Sequence, residues 1–307
     1  MAPSNLEMRM DRLILDIPSP GLGLAAAEAA GRLTTPTVLH GVGLGDPALR
    51  GAVVVLAQVD GLPLAQQALI AQARAEADRL GACLAVAAIE RTPPVKPARL
   101  ASLAQQARQL HRLGADLYVL GPHAELDLVA ATLDSRTAAG RHGLAALIVA
   151  PDLTALASPD AAARQALAAG RPEVAARILG RPFALEGVVE EGQKLGRKLG
   201  FPTANISAGD YVRPRLGVYA TRSRLADGRE LPGVANFGVN PTTGLVDARL
   251  EVFLFDFDED IYGQVLDTDL IAFLRPELKF DGLEPLILQI RQDTEAARAL
   301  AGSPSFG

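Results

Sequence analysis

The chain has 307 residues and 49% of them are apolar, which is enough for two domains that each bury a hydrophobic core. The net charge of −5 and the pI of about 5.5 argue against a nucleic-acid partner, because phosphate contacts need a basic surface. A single cysteine and the lack of any apolar run of about 18–20 residues exclude a disulfide framework and a membrane span, so we expect a cytoplasmic protein without a membrane partner.

The character of the sequence changes near residue 180, and we place a domain boundary there. All four histidines and most of the Ala-rich segments come before this point, whereas short runs rich in Asp, Phe and Tyr follow it. We therefore predict a first domain over residues 37–180 and a second over 181–302. Residues 1–36 match no pattern, and we treat them as an N-terminal extension.

The first domain alternates short apolar runs, typical of buried strands, with longer helical patterns. Helical periodicity over 64–81 ends at Gly81, and a second helical pattern covers 98–116. Strands that alternate with helices predict a Rossmann-like α/β fold, with a parallel sheet and right-handed crossovers. The predicted strands are 52–59, 82–89, 117–121 and 144–150, and two short helices broken at Gly170 and Pro172 follow within 157–180.

The second domain consists of shorter strand-like runs separated by Gly, Asp and Pro. The sequence ADGRE at 226–230 is a tight hairpin signal through Asp227 and Gly228. Short strands joined by such turns predict a small antiparallel β-barrel. The last segment, 282–302, has a helical pattern, and we expect this C-terminal helix to lie across one mouth of the barrel.

The sequence GRKLGFPTAN at 196–205 is the most distinctive stretch of the second domain. Gly196 and Gly200 allow a close backbone approach to a ligand, and turns of this kind can present N–H groups to an anion. Thr203 and Asn205 offer two neutral oxygens of the kind that Mg²⁺ accepts together with substrate phosphates. The alternative is a basic β-turn with local hydrogen bonds, in which Pro202 only stiffens the chain.

Several motifs of the second domain, in order, resemble those of riboflavin kinases. The resemblance extends over about residues 181–300, and motifs in the right order make a chance match very improbable. The stretches that carry it are GVVEEGQKLGRKLGFPTANI (187–206), GVY (217–219), GVANFGVNPT (233–242), LEVFLFDFDEDIYG (250–263) and FLRPELKFDGLEPLILQIRQD (273–293).

This resemblance implies transfer of the ATP γ-phosphoryl group to the 5′-hydroxyl of riboflavin, giving FMN. It also implies that Glu251 is the general base and that Thr203 and Asn205 hold Mg²⁺. By composition alone, a Glu on a strand is more often part of a solvated face, but a carboxylate is what the hydroxyl proton needs as attack develops. The positions that match the ATP-binding loop are Gly192, Gly196, Arg197, Thr203 and Asn205.

Two further polar residues have alternative interpretations. Asn236 is either a strand-end residue or a polar contact to the nucleotide or flavin. Arg275 either contacts the flavin or pairs with an acid, and the sequence does not separate the two.

The first domain resembles FMN adenylyltransferases, which make FAD, in the segments 52–70, 98–116 and 167–183. Pro63 and Gln66 stand where that family has two histidines, and neither side chain can stabilise phosphate charge as an imidazolium does. The matching positions that remain are Asp60, Gly61 and Arg164.

We therefore expect a riboflavin kinase whose first domain has lost FAD synthetase activity. One alternative is a bifunctional kinase and adenylyltransferase, and another is a non-catalytic flavin-binding regulator. The expected partners are small-molecule substrates, and a protein partner of the first domain is left open.

Overall fold

A computed structural model of the chain describes residues 36–89, 98–121, 135–150, 159–192, 196, 199–239 and 248–301. Of the predicted N-terminal extension, only residue 36 belongs to this described part. The domain bounds stay a prediction, although the described chain forms two separate sheets.

The first sheet is parallel and has five strands in the order β1-β4-β3-β2-β5. The predicted α/β fold and all four predicted strands are confirmed. The additional strand, β1, is only four residues long and gave no periodic signal. The strands are β1 Thr37–His40, β2 Val53–Ala57, β3 Leu84–Ile89, β4 Leu117–Gly121 and β5 Ala146–Val149.

The helices of the first half follow the predicted pattern with one shifted start, and the structure adds a helix at Ser135–His142 that we did not predict. The helix predicted over 98–116 begins only at Leu103, because Ser102 and Gln105 form a capping box that starts it there. Gly170, at φ +72°, separates the two short helices as predicted. The helices are α1 Leu64–Leu80, α2 Leu103–Arg112, α3 Ser135–His142, α4 Pro159–Ala168 and α5 Pro172–Leu179, with a 3₁₀ turn at Pro47–Leu49.

The second sheet is antiparallel and has six strands in the order β6-β11-β8-β9-β10-β7. A bridge between Glu190 and Asn205 joins its two edges, so the sheet nearly closes into the predicted barrel. The predicted hairpin is present, with Arg224 opposite Glu230. The strands are β6 Phe183–Val188, β7 Ala204–Ser207, β8 Gly217–Arg224, β9 Glu230–Val239, β10 Ala248–Leu254 and β11 Val265–Arg275.

The C-terminal helix, α6 (Leu283–Ala301), packs on the outer face of the barrel against β8, β9 and β11. We expected it across a mouth of the barrel, and the apolar residues on the outer face explain the difference. Ala297 of the helix covers Val218, Ala220 and Val234, which would otherwise expose apolar surface to water. No helix in the described part of the chain is long and apolar enough to cross a membrane.

Candidate active site

A row of mostly polar side chains crosses the outer face of the barrel, with Glu251 between Asn205 and Asn236. Glu251 on β10 lies directly opposite Asn205 on β7 and Asn236 on β9. Directly opposed residues of antiparallel strands point to the same face, so the three side chains are neighbours. The flanking residues Leu250 and Val252 belong to the barrel core, and the alternation of the strand therefore directs Glu251 outward.

The same row continues across two further strands. Asn236 lies opposite Val218 on β8, and Val218 lies opposite Arg275 on β11. Five strands thus contribute one residue each to a line across the sheet. The sequence analysis named four of these residues separately, all but Val218, and the register of the sheet brings them together.

A cavity of about 330 Å³ lies between this row and helix α6. Its floor carries the polar side chains, and its other walls are largely apolar and aromatic. An elongated ligand with an aromatic system and a polar end fits such a site. The lining includes Thr203, Phe253, Glu277, Leu278, Phe280, Leu286 and Ile290 beside the polar residues of the row.

The environment of Glu251 makes its carboxylate a stronger base than that of a free glutamate. Although the residue is exposed to the cavity, the surrounding protein desolvates the carboxyl group and raises its pKa, and the nearby charge of Glu277 raises the pKa further. The charge of Arg249 lowers the pKa; this effect is smaller than that of desolvation and larger than that of Glu277.

Glu277 is a second acid of this cavity, and our sequence reasoning did not single it out. The Asn236 side-chain amide donates a hydrogen bond to Glu277 Oε1 at 3.4 Å. The only signal in the sequence was the position of Glu277 in the matched FLRPE segment. That position does not show that the chain after β11 brings Glu277 next to Asn236 on β9.

The structure pairs Arg275 with an acid, which was one of the two alternatives. Its guanidinium makes a bidentate ion pair with Asp293 of α6, with Nε–Oδ1 at 2.9 Å and Nη2–Oδ2 at 2.7 Å. The Asp293 side chain is 8% exposed, so this pair fixes α6 to the end of β11 in a partly dry environment. Sequence analysis missed Asp293 because one Asp on an amphipathic helix has no distinctive pattern.

Glycines of the 192–200 loop allow a close approach to the polar row. A Cβ atom on Gly192 would lie 2.4 Å from Asn205 Nδ2, and one on Gly196 would lie 2.3 Å from the carbonyl oxygen of Phe201. The Phe201 N–H donates to the Gly196 carbonyl at 2.8 Å and closes the turn. Arg197 and the lysines 194 and 198 lie outside the described residues.

Thr203 and Asn205 lie two residues apart on an extended segment, so their side chains share the outer face. The Asn205 side-chain amide donates to the Thr203 carbonyl oxygen at 3.4 Å. This contact and the neighbouring Gly192 hold the amide in one orientation beside the hydroxyl.

Thr203 also lines a second cavity of about 400 Å³, at one end of the barrel. Ala204, Val252 and Leu254, whose side chains face the barrel interior, form its apolar wall. The acidic residues 258–260 lie along the same cavity. Thr203 therefore lines both cavities.

In the first half, the structure brings Asp60, Gly61 and Arg164 together. Asp60 Oδ1 accepts a hydrogen bond from the Leu100 N–H at 2.9 Å, and Asp60 Oδ2 pairs with the Arg164 guanidinium. A Cβ atom on Gly61 would lie 2.3 Å from Asp160 Oδ1, so only glycine fits this turn without a shift. In this structure the Asp60 carboxylate is already engaged by protein groups.

The residues that replace the two histidines of the adenylyltransferase pattern do not carry charge. Pro63 forms the N-terminal boundary of α1, and Gln66 is buried in its first turn. The preceding residue, Leu62, is buried and has φ +49°, a conformation that is unfavourable for a residue with a side chain.

Comparisons with known proteins agree with this architecture. The Flavokinase model, which describes riboflavin kinases, matches residues 179–301. A bifunctional riboflavin kinase/FMN adenylyltransferase from Haemophilus influenzae is 30% identical over 306 residues, which cover 87% of this chain and 99% of the relative. The protein of the same name from Pseudomonas fluorescens is 36% identical over 296 residues, which cover 83% of this chain and 94% of the relative.

Among solved structures, a macrolide-efflux protein from Streptococcus pneumoniae superposes with a TM-score of 0.69. The superposition covers 85% of this chain and 98% of that chain at 24% sequence identity. At this level of identity the likeness shows the fold alone.

Proposed function

Because the chain belongs to the family of bifunctional riboflavin kinase/FMN adenylyltransferases, we propose that its barrel transfers the γ-phosphoryl group of ATP to the 5′-hydroxyl of riboflavin through the base Glu251. The observation that carries this mechanism is the position of Glu251. It lies between Asn205 and Asn236 in the polar row and lines the cavity beneath α6, and Thr203 lines both this cavity and the second one.

We assign riboflavin to the cavity beneath α6 and ATP to the cavity at the barrel end. A general base must come within about 2.6–3.2 Å of the proton donor, so the acceptor hydroxyl belongs on the side of Glu251. Phe253 and Phe280 offer aromatic surfaces for the isoalloxazine ring. The γ-phosphoryl group then lies near Thr203, which lines both cavities.

The residues around Thr203 and Asn205 fit a magnesium ion that is held jointly with ATP. Two neutral oxygens would bind the ion weakly alone, but Mg²⁺ usually takes a few protein oxygens together with substrate phosphates and water. Gly192 has no side chain, and the Asn205 amide lies in the place that a Cβ atom at this position would take. When bound, the ion neutralises charge on the transferring phosphoryl group.

In the reaction, the 5′-hydroxyl oxygen of riboflavin attacks the γ-phosphorus of ATP, and Glu251 accepts the proton of this hydroxyl. The new oxygen–phosphorus bond forms while the bond to the β-phosphate oxygen breaks, and ADP leaves. Phosphoryl transfer depends mainly on positioning and charge stabilisation. In this chain, the cross-strand row positions the base, and the glycine loop lets the backbone approach the phosphates.

A second candidate activity is FMN adenylyl transfer by the first domain. The relatives with that name match this chain over 94% and 99% of their own length, which includes the first half. These matches favour the bifunctional alternative over our expectation that the activity has been lost, and that expectation is not confirmed. The uncharged Pro63 and Gln66 argue in the other direction.

An assay of both products on the purified full-length chain decides between these activities. ATP, Mg²⁺ and riboflavin should give FMN, and the same enzyme with FMN and ATP reports adenylyl transfer as FAD, both separated by chromatography. Tight flavin binding without FMN formation would contradict the kinase assignment and support a binding protein. FAD formation at a rate comparable to FMN formation would establish the bifunctional alternative.

A further inference from the structure

A segment of the first half is built into the kinase barrel. We call residues 98–102, the last part of the connection from β3 to helix α2, the docking segment. The Arg99 N–H donates to the Asp210 carbonyl at 2.8 Å, and the Val212 N–H donates to the Arg99 carbonyl at 2.8 Å. Arg99 thus forms a parallel bridge with Tyr211, like one residue of an added strand.

The capping box of α2 extends this contact through side chains. Ser102 Oγ donates to Glu186 Oε1 of β6 at 2.7 Å, and Gln105 Nε2 donates to Asp267 Oδ1 of β11 at 2.9 Å. The Tyr211 hydroxyl donates to Gln105 Oε1 at 3.0 Å. The residues that start the helix are therefore the same ones that bind the barrel, and their hydrogen bonds lie in a largely buried environment.

The barrel segment held in this way directly follows strand β7. This strand is four residues long and lies at the edge of the six-stranded order, with β10 as its ladder partner and the bridge at Glu190 on its other side. It carries Asn205, and Thr203 precedes it. Because the strand is short, the position of residues 208–212 limits how far it can shift.

On its other side, the docking segment is fixed by residues of the first domain. Asp60 accepts hydrogen bonds from the Leu100 N–H at 2.9 Å and the Ala101 N–H at 3.5 Å. Arg164 pairs with Asp60 and also donates to the Ala98 carbonyl. One ion pair therefore holds three backbone groups of the docking segment.

We propose that the docking segment positions strand β7 for ATP binding by the kinase, and that Asp60 and Arg164 are positioning residues which act through it. This rests on the proposed kinase function. Under this proposal, Asp60 and Arg164, which match adenylyltransferase positions in the first domain, support the activity of the second domain.

The test compares Asp60→Asn and Arg164→Met with the parent in the full-length chain. Loss of the ion pair should raise the KM for Mg-ATP about fivefold, the lower end of typical coupling between sites, with the riboflavin KM and kcat within about twofold of the parent. A merely structural role would lower kcat with the fraction of folded enzyme and leave both KM values unchanged. The matched control is Arg79→Met, which removes an exposed ion pair with Glu76 from the same domain.

Amide hydrogen exchange gives a readout that does not depend on activity. The Val212 N–H, which is bonded to Arg99, should exchange faster in both variants than in the parent and the control. If the parent makes no FMN but the two variants still exchange faster than the parent, the positioning stands and only the proposed function is overturned. Unchanged exchange together with an unchanged KM for Mg-ATP, with or without loss of FAD formation, would overturn the inference.

Discussion

Replacement of Glu251 by glutamine tests the proposed chemistry most directly. The substitution keeps the length and shape of the side chain, and the opposed residues Asn205 and Asn236 can hydrogen-bond an amide as well as a carboxylate. The strand remains in register because its neighbours Leu250 and Val252 stay buried. The variant therefore removes the proton acceptor with little change in the cavity.

The expected loss follows from the role of a general base. Such a group contributes about 10²–10⁴-fold in rate, which corresponds to about 3–5 kcal/mol of the activation free energy. The raised pKa of the Glu251 carboxyl places this enzyme towards the upper part of that range, because a stronger base takes more of the proton in the transition state. We expect kcat to fall at least about 10³-fold with both KM values nearly unchanged.

Single-turnover formation of FMN measures this effect without interference from product release. Glu230→Gln is the matched control, since Glu230 is an exposed acid of the barrel that pairs with Arg224 and lines neither cavity. The control should retain parental rates. An E251Q enzyme within about fivefold of the parent would refute the assignment of Glu251 as base.

Three further outcomes are expected. Gly192→Ala should raise the KM for Mg-ATP about tenfold, since its methyl group would displace the Asn205 amide; an unchanged KM in initial-rate assays would speak against the loop assignment. Glu277→Gln should move the acidic limb of the kcat/KM profile to lower pH, because it removes a charge that raises the pKa of Glu251; a limb that stays in place would contradict this coupling. Burial raises the pKa of Asp269 to about 6, so the folded state binds this proton more tightly than the unfolded state does. The protein therefore loses stability as the pH rises through about 6 and the proton is lost. Urea unfolding at about pH 4.5 and 7.5 should show that the parent loses about 2 kcal/mol between these pH values relative to Asp269→Asn.

The fold was largely predictable from the sequence because its elements follow regular patterns. The run AVVVLAQV has the apolar residues of a strand buried on both faces, and β2 lies inside the parallel sheet with all five residues buried. Asp227 and Gly228 supply the turn that places Arg224 opposite Glu230. Such local signals need no knowledge of the rest of the chain.

The missed features depend on contacts between distant segments. Asp293 follows Arg275 by 18 residues, and only the return of α6 over the barrel brings the two together. Helix α2 starts later than its pattern predicts, since the docking segment makes backbone bonds to Asp60 and to residues 210–212 in place of helical ones. A periodic pattern reports which residues prefer a helix, and it does not report a competing partner elsewhere.

The site was predicted in part. The motifs named Glu251, Thr203 and Asn205. The register of the sheet places Glu251 directly opposite Asn205. Their roles as base and metal ligands stay predictions. Glu277 was missed because its relation to Glu251 depends on the course of the chain after β11.

The alternation along β10 also determines which length changes the chain tolerates. Deletion of one residue from Ala248–Leu254 would turn Leu250 or Val252 outward and Glu251 into the apolar interior, so loss of the base and loss of the core would occur together. An added residue in the exposed hairpin turn at Asp227 and Gly228 would leave both strands paired as they are. Insertions and deletions compatible with a working kinase should therefore accumulate in that hairpin and be excluded from β10.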